Sequence, residues 1–155
     1  MVPFVIGIDD PGADDVQSLL GQHLAFNIHH TPLQDVHALD FDGLLDPTVT
    51  LFSARHEGQL LAIGALKQLD ESHGELKSMH TAEAARGQGI GRAMVDHLLR
   101  VAQHRGYCRV SLETGATDVY ELARSLYRRS GFTPCEPFGD YRESPNSAFM
   151  TLLLD

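Results

Sequence analysis

The sequence predicts an α/β fold, on three observations. Between residues 49 and 81, short apolar runs alternate with polar residues and are broken by turn pairs such as Glu57-Gly58, the pattern of a strand meander. Two longer stretches carry apolar residues at helical spacing: Val16, Leu19, Leu20, Leu24 and Ile28, and later Ala93, Met94, Leu98, Val101 and Ala102. Between the meander and the second helix lies a glycine-rich turn, Arg86-Gly87-Gln88-Gly89-Ile90-Gly91. Such a turn makes an anion site, because glycines let the backbone approach a ligand and the free N–H groups of a helix's first turn point outward at the positive end of its dipole.

Each element follows from its own signals. Residues 4–9 alternate as a first strand and end at Asp10-Pro11-Gly12. Asp14-Asp15 can cap the first helix, which Thr31-Pro32 stops. Residues 33–45 read as a second, shorter helix closed by Asp46-Pro47. Strands over 49–56 and 59–69 form a hairpin, a turn spans 70–74, and a central strand covers 75–81. The glycine turn then opens a helix to about residue 105, with Gly106 at its end. A strand over 109–113, a helix over about 118–130 capped by Gly131, a pairing segment over 133–137, a polar loop over 138–147 and a closing strand over 148–154 complete the chain.

Composition narrows the function. At 155 residues the chain suits one domain with a real core, and 43% hydrophobic with 21% charged residues is a globular balance. A net charge of -9 argues against a nucleic-acid partner, since phosphate contacts need a basic face, and it weakly favours a cationic or amine substrate. Cys108 and Cys135 are too few for a disulfide framework and read as buried thiols of a reducing compartment. With neither a signal-like N-terminus nor a membrane-spanning run, the expected location is cytoplasmic, with no membrane partner. The nine histidines lack metal-ligand spacing, so they read mostly as surface residues and no metal is predicted.

Three phosphate-loop patterns compete for the glycine turn. The P-loop fails because no Lys-Ser or Lys-Thr follows, and G-x-G-x-x-G fails because its last position is Arg92 or Met94. The remaining pattern, R-x-x-G-x-G, is met by Arg86, Gly89 and Gly91. It resembles the pyrophosphate loop of the Gcn5-related N-acetyltransferases (GNAT). The order strand, two helices, three-strand meander, helix, strand, helix, two strands is similar to that family's fold over nearly the whole chain. Ala123, Leu126, Tyr127, Gly131 and Phe132 match its A-x-x-L-Y-x-x-x-G-F signature. The words E-L-K-S-M, S-L-E-T-G and P-N-S-x-F-M look like a branch of small bacterial, mostly uncharacterised N-acetyltransferases.

The resemblance implies a single N-acetyltransferase domain over 1–155, with a central mixed, twisted sheet of six to seven strands flanked by about four helices. It implies acetyl-CoA as cosubstrate and direct transfer to the primary amine of a small molecule, amino-acid-like in the sharper version. Rival readings are a catalytically silent acyl-CoA-binding or regulatory domain, and a protein or peptide N-acetyltransferase. The acceptor's identity and the oligomeric state, a homodimer among the options, lie beyond the sequence.

The family's site residues carry over by position. Main-chain groups of Met79 and Thr81 would hold the pantetheine arm, and the strands over 75–81 and 109–113 would splay beside the turn. An N–H near Met79 or His80 would serve the oxyanion. Arg86, Gly87, Gln88, Gly89, Gly91 and Arg92 would hold the pyrophosphate, although Arg92 reads equally well as a solvated helix-start residue. Tyr127 stands where the family places a general acid, unless it is a core tyrosine. Glu75 matches the base of the histone acetyltransferase branch, unless it only pairs with Lys77 on the same strand face. Glu113 is a second candidate base, His80 and Cys135 lesser ones. Tyr120 departs from the family's usual asparagine. Asp35, His37, Tyr141, Arg142 and Asn146 are candidate acceptor contacts by location alone.

Overall fold

In the computed structural model, which describes residues 2–155, strand β1 (Val5–Ile8) leads into helix α1 (Asp14–His30) and the short α2 (Phe41–Leu44). The meander β2 (Val49–His56), β3 (Gln59–Asp70) and β4 (His73–Thr81) follows, then α3 (Ile90–His104), β5 (Arg109–Gly115), α4 (Glu121–Arg129), β6 (Thr133–Pro134) and β7 (Ser147–Leu153). All seven strands join one sheet in the order β1-β2-β3-β4-β5-β7-β6. Every neighbouring pair is antiparallel except β4 and β5, so the sheet is mixed as expected.

Strand alternation gives the sheet two apolar faces. One packs on α3: Phe52, Leu66, Leu76, Val110 and Leu112 meet Ile90, Met94, Val95, Leu98 and Ala102. The other packs on α1 and α2: Leu51, Ile63 and Ala65 meet Val16, Leu19, Leu20 and Leu44. Gly106 ends α3 at φ +83, where the N–H of Tyr107 reaches the carbonyl of Ala102 and that of Gly106 reaches Gln103, a Schellman closure.

Two features of β4 shape the site. Opposite β3 it carries a bulge: Ala65 pairs with Lys77 but Ile63 pairs with His80, and Ser78 takes φ +54. Beside β5 it pairs only from His73–Arg109 to Leu76–Leu112, after which the two strands run on unpaired and leave a cleft.

The structure corrects several expectations. The helix over 33–45 is a 3-10 turn at Leu33–Asp35, an extended stretch, and one helical turn capped by Asp40, which accepts from the Gly43 N–H at 2.8 Å. Asp14 and Asp15 lie within the first turn of α1 and do not cap it; Asp15 pairs with Arg55 instead. Ile28 is exposed, because the last turns of α1 run over the cleft instead of the core. β4 begins at His73, so the preceding turn is shorter than expected, and the pairing segment shrinks to Thr133–Pro134. Neither cysteine is fully buried: Cys108 is exposed and Cys135 half-buried. Among the described residues no helix is long and apolar enough to cross a membrane, and no group of three His, Cys, Asp or Glu side chains could hold a metal ion.

Candidate active site

Where β4 and β5 part, a cavity of about 620 Å³ opens between them, bounded by α1, α3 and α4. Its two sides differ in construction, because α3 and α1 lie on opposite faces of the sheet.

The α3 side is built from main chain. Met79, Thr81, Arg86, Gly87, Gly89, Gly91 and Arg92 all line it, whereas Gln88 does not. Gly87 and Gly89 have φ near +78 and +79, and among the described residues nothing lies within 4 Å of where a Cβ would stand, so the loop is an open cradle. Among the described residues no side chain caps α3, and its first turn carries no acidic residue. Its free N–H groups and positive dipole end are therefore available to an anion. The Arg86 Nε donates to the Thr81 carbonyl at 3.2 Å, which ties the loop to the end of β4. Arg92 pairs with Asp96 at 3.2 Å on the exposed face of the helix. Arg129 lines the cavity as well and carries no motif that would have flagged it.

Tyr127 projects from α4 into the cavity wall and stacks edge-on to Phe132. Among the described residues its hydroxyl makes no hydrogen bond, and burial pushes its pKa well above the usual tyrosine value. It is thus a protonated group with its donor uncommitted.

The α1 side is built from side chains. Ile63 and Ala65 face α1, so their β4 partners His80 and Lys77 face it too. Val110 and Leu112 face α3, which turns Glu113 to the α1 side. Glu113 lines the cavity, and burial pushes its carboxyl up to about 7; Lys77 opposes that rise, while Glu75 and Asp35 add to it.

Glu75 behaves differently. It is only 2% exposed and lies outside the cavity lining. Its Oε2 accepts from Lys77 Nζ at 3.2 Å and from the Tyr141 hydroxyl, which itself accepts from Lys77 at 2.7 Å. Of the acceptor contacts expected by location, Asp35, His37 and Asn146 line the cavity, and Asn146 Nδ2 donates to Asp35 at 3.0 Å. Tyr141 sits behind the lining, and Arg142 is exposed and off it.

Tyr120 turns its ring over Gly115, where a Cβ would stand 1.9 Å from the ring, and its hydroxyl meets Thr31 Oγ1 at 2.9 Å and Asn27 Oδ1 at 3.1 Å. The residue that departs from the family pattern thus ties the start of α4 to α1. His23 and His80 both line the cavity, with their Nδ1 atoms 3.1 Å apart. His23 is thus an exception to the reading of most histidines as surface residues, and His80, a lesser candidate in the sequence, lies at the cavity. Their signal was present as the polar row His23, Asn27 and Thr31, at steps of four along α1 and into its C-cap.

Comparison with known proteins places the family and the fold. Residues 16–132 match the model of the acetyltransferase (GNAT) family. The uncharacterised N-acetyltransferase YsnE of Bacillus subtilis is 44% identical over 146 residues, covering 94% of this chain and 97% of that protein. The uncharacterised N-acetyltransferase YedL of Escherichia coli is 44% identical over 151 residues, covering 97% and 95%. A Klebsiella pneumoniae protein assigned as an acyl-CoA N-acyltransferase superposes with a TM-score of 0.81 at 25% identity, over 98% of both chains. A Bacillus subtilis acetyltransferase solved with CoA superposes at 0.72 with 18% identity, over 98% of this chain and 99% of that one, a likeness of fold.

Proposed function

The chain belongs to the GNAT family of acetyltransferases, and from that premise we propose that it moves acetyl from acetyl-CoA directly to the primary amine of a small, carboxylate-bearing molecule. The observation that carries this reading is the parting of β4 and β5 after Leu76 and Leu112, with an uncapped glycine turn on one side and the half-buried Glu113 carboxyl on the other.

Acetyl-CoA supplies an activated acyl group as a thioester. Arg86, Gly87, Gly89, Gly91 and Arg92 fit its pyrophosphate, because an open, positively charged cradle meets the N-terminus of α3. Met79 and Thr81 lie on β4 beyond its pairing with β5, where their main-chain N–H groups can meet the pantetheine arm, and an N–H near Met79 or His80 stabilises the carbonyl oxygen as it gains charge. Glu113, rather than Glu75, takes the proton of the incoming ammonium, since it faces the cavity with a carboxyl poised near neutrality. Glu75 holds Lys77 in place, and a remaining Lys77 N–H binds the acceptor's carboxylate. Tyr127 returns a proton to the departing sulfur.

Two rivals are less well supported. A silent CoA-binding domain has no use for an uncommitted Tyr127 hydroxyl or a Glu113 near neutrality. The Asp35–Asn146 hydrogen bond joins two cavity-lining segments, which favours a small acceptor over a peptide. The test is acetyl-CoA-dependent release of coenzyme A across amino acids, polyamines, aminoglycosides and peptides. A carboxylate-bearing small amine should give the highest kcat/KM; a polyamine or basic peptide far ahead of it would refute the acceptor assignment.

A further inference from the structure

The α1 side of the cleft holds a hydrogen-bond chain whose direction can be read from its fixed points. The His23 carbonyl can only accept, so the Asn27 atom 2.8 Å from it is Nδ2. Asn27 Oδ1 is then the atom facing the Tyr120 hydroxyl at 3.1 Å; the hydroxyl donates to it and accepts from Thr31 Oγ1 at 2.9 Å. The side-chain atom facing His23 Nε2, at 3.5 Å, is Asn27 Nδ2, which can only donate, so Nε2 is assigned as the acceptor and His23 carries its hydrogen on Nδ1. His23 Nδ1 is 3.1 Å from His80 Nδ1, and between two neutral rings only one of these atoms can hold a hydrogen. His80 Nδ1 therefore accepts, and the His80 hydrogen sits on Nε2.

We propose that Thr31, Tyr120, Asn27 and His23 lock His80 as an Nε2–H donor on the acceptor side of the cleft, where it binds an oxygen atom of the acceptor molecule. The placement follows from the sheet: His80 pairs with Ile63 and faces α1, whereas Met79 faces Met94 of α3 on the cofactor side. His80 and Lys77, on that face of the cleft, thus both present hydrogen to a ligand. An acceptor with an oxygen-bearing acid group next to its amine suits that pair, with Glu113 left for the ammonium. Burial holds both histidines below the ordinary value, His23 at about 3, with Lys77 and His80 adding to the shift at His23 and Arg86 to that at His80. Neutral rings are what the chain requires. Tyr120 acquires a purpose in this arrangement: its hydroxyl fixes the orientation of the Asn27 amide on which every later step depends.

The inference deepens the acceptor assignment above and rests on it, but its first test does not need turnover. Long-range nitrogen–proton NMR on the full chain labelled with 15N-histidine, at pH 7, should show His23 as the Nδ1–H tautomer and His80 as the Nε2–H tautomer. His23→Asn and His80→Gln would assign the signals. A His80 signal of Nδ1–H or imidazolium type overturns the proposal. The second test is kinetic. His80→Leu should raise the acceptor KM about tenfold or more while leaving the acetyl-CoA KM alone, and His80→Gln, which keeps an N–H donor, should recover most of that loss. Tyr120→Phe should raise the acceptor KM by about threefold through the loosened amide. An unchanged acceptor KM in His80→Leu sinks the role of His80 and leaves the acetyltransferase reading intact. If no amine is acetylated by the wild type, the acceptor reading fails and the tautomers still decide the chain.

Discussion

The two sides of the cleft are built by different means. On the α3 side, residues 86–92 form one contiguous turn, and what they offer is backbone: open glycines, an uncapped helix end and two arginines at the rim. On the α1 side, His23, Lys77, His80, Glu113 and Asn146 come from segments far apart in the chain, and what they offer is side-chain chemistry. A main-chain cradle tolerates much change in sequence as long as its glycines stay. A side-chain wall changes its ligand with each substitution. A shared cofactor and a private acceptor are the expected consequences of that division.

The comparison can be broken most severely at the glycines. Gly91 has an ordinary helical φ, but a Cβ there would sit 3.2 Å from Leu126 Cδ2, and a larger side chain would enter the cavity. Gly91→Val should weaken acetyl-CoA binding by about 100-fold or more, enough to remove several contacts to an anion, while circular dichroism stays native. Calorimetry showing wild-type affinity would return the loop to an ordinary turn.

On the other side, Glu113→Gln should lower kcat by about 10²- to 10⁴-fold and leave acetyl-CoA affinity untouched. Wild-type kcat/KM should rise with pH through about 7 as the Glu113 carboxyl ionises, and the variant should lose that limb. Stability moves the opposite way. The folded carboxyl lies above its ordinary value of 4.5, so the native state holds a proton that the unfolded chain has released between 4.5 and about 7. The contribution is complete below 4.5 and is lost as pH rises through 7; denaturant titrations should show the fall in wild type and its absence in Glu113→Gln.

Tyr127→Phe should cost about 10- to 100-fold in kcat with no change in either KM, as measured under saturating substrates. Lys77→Met should raise the acceptor KM several-fold and, by leaving the Glu75 carboxylate buried beside Tyr141 alone, destabilise the fold by roughly 3 kcal/mol in thermal unfolding. Arg142→Ala should change acceptor kinetics less than about twofold, since the residue is exposed and off the cavity, at the level of an ordinary surface substitution.

How much was legible in the sequence follows the same division. The R-x-x-G-x-G turn was readable because its function needs glycine, arginine and a helix start in adjacent positions. The meander and the two long helices were readable because alternation and the 3.6-residue spacing are local. The segment 33–45 was not: it read as a helix closed by Asp46-Pro47, but the 3-10 turn and extended stretch that bring Asp35 and His37 to the cavity are held by tertiary contacts such as that from Asn146. Glu75 and Lys77 were correctly placed on one face, yet the loop tyrosine that encloses them, Tyr141, is more than sixty residues away. For the same reason Glu113 could be named in the sequence but not preferred. Its environment is made by the end of a strand pairing, which no local pattern records. The row His23, Asn27 and Thr31 went unread because polar residues beside an apolar stripe ordinarily face solvent, and only Tyr120 and His80 show that these do not.

The most direct measurement is the release of coenzyme A from acetyl-CoA by wild type and Glu113→Gln, with a series of small amines that differ only in whether they carry a carboxylate. Release that needs the amine, is strongest with the carboxylate-bearing members, and falls at least about 100-fold in the variant at unchanged acetyl-CoA affinity is the predicted result. Equal release by the two proteins would contradict it, as would indifference to the carboxylate.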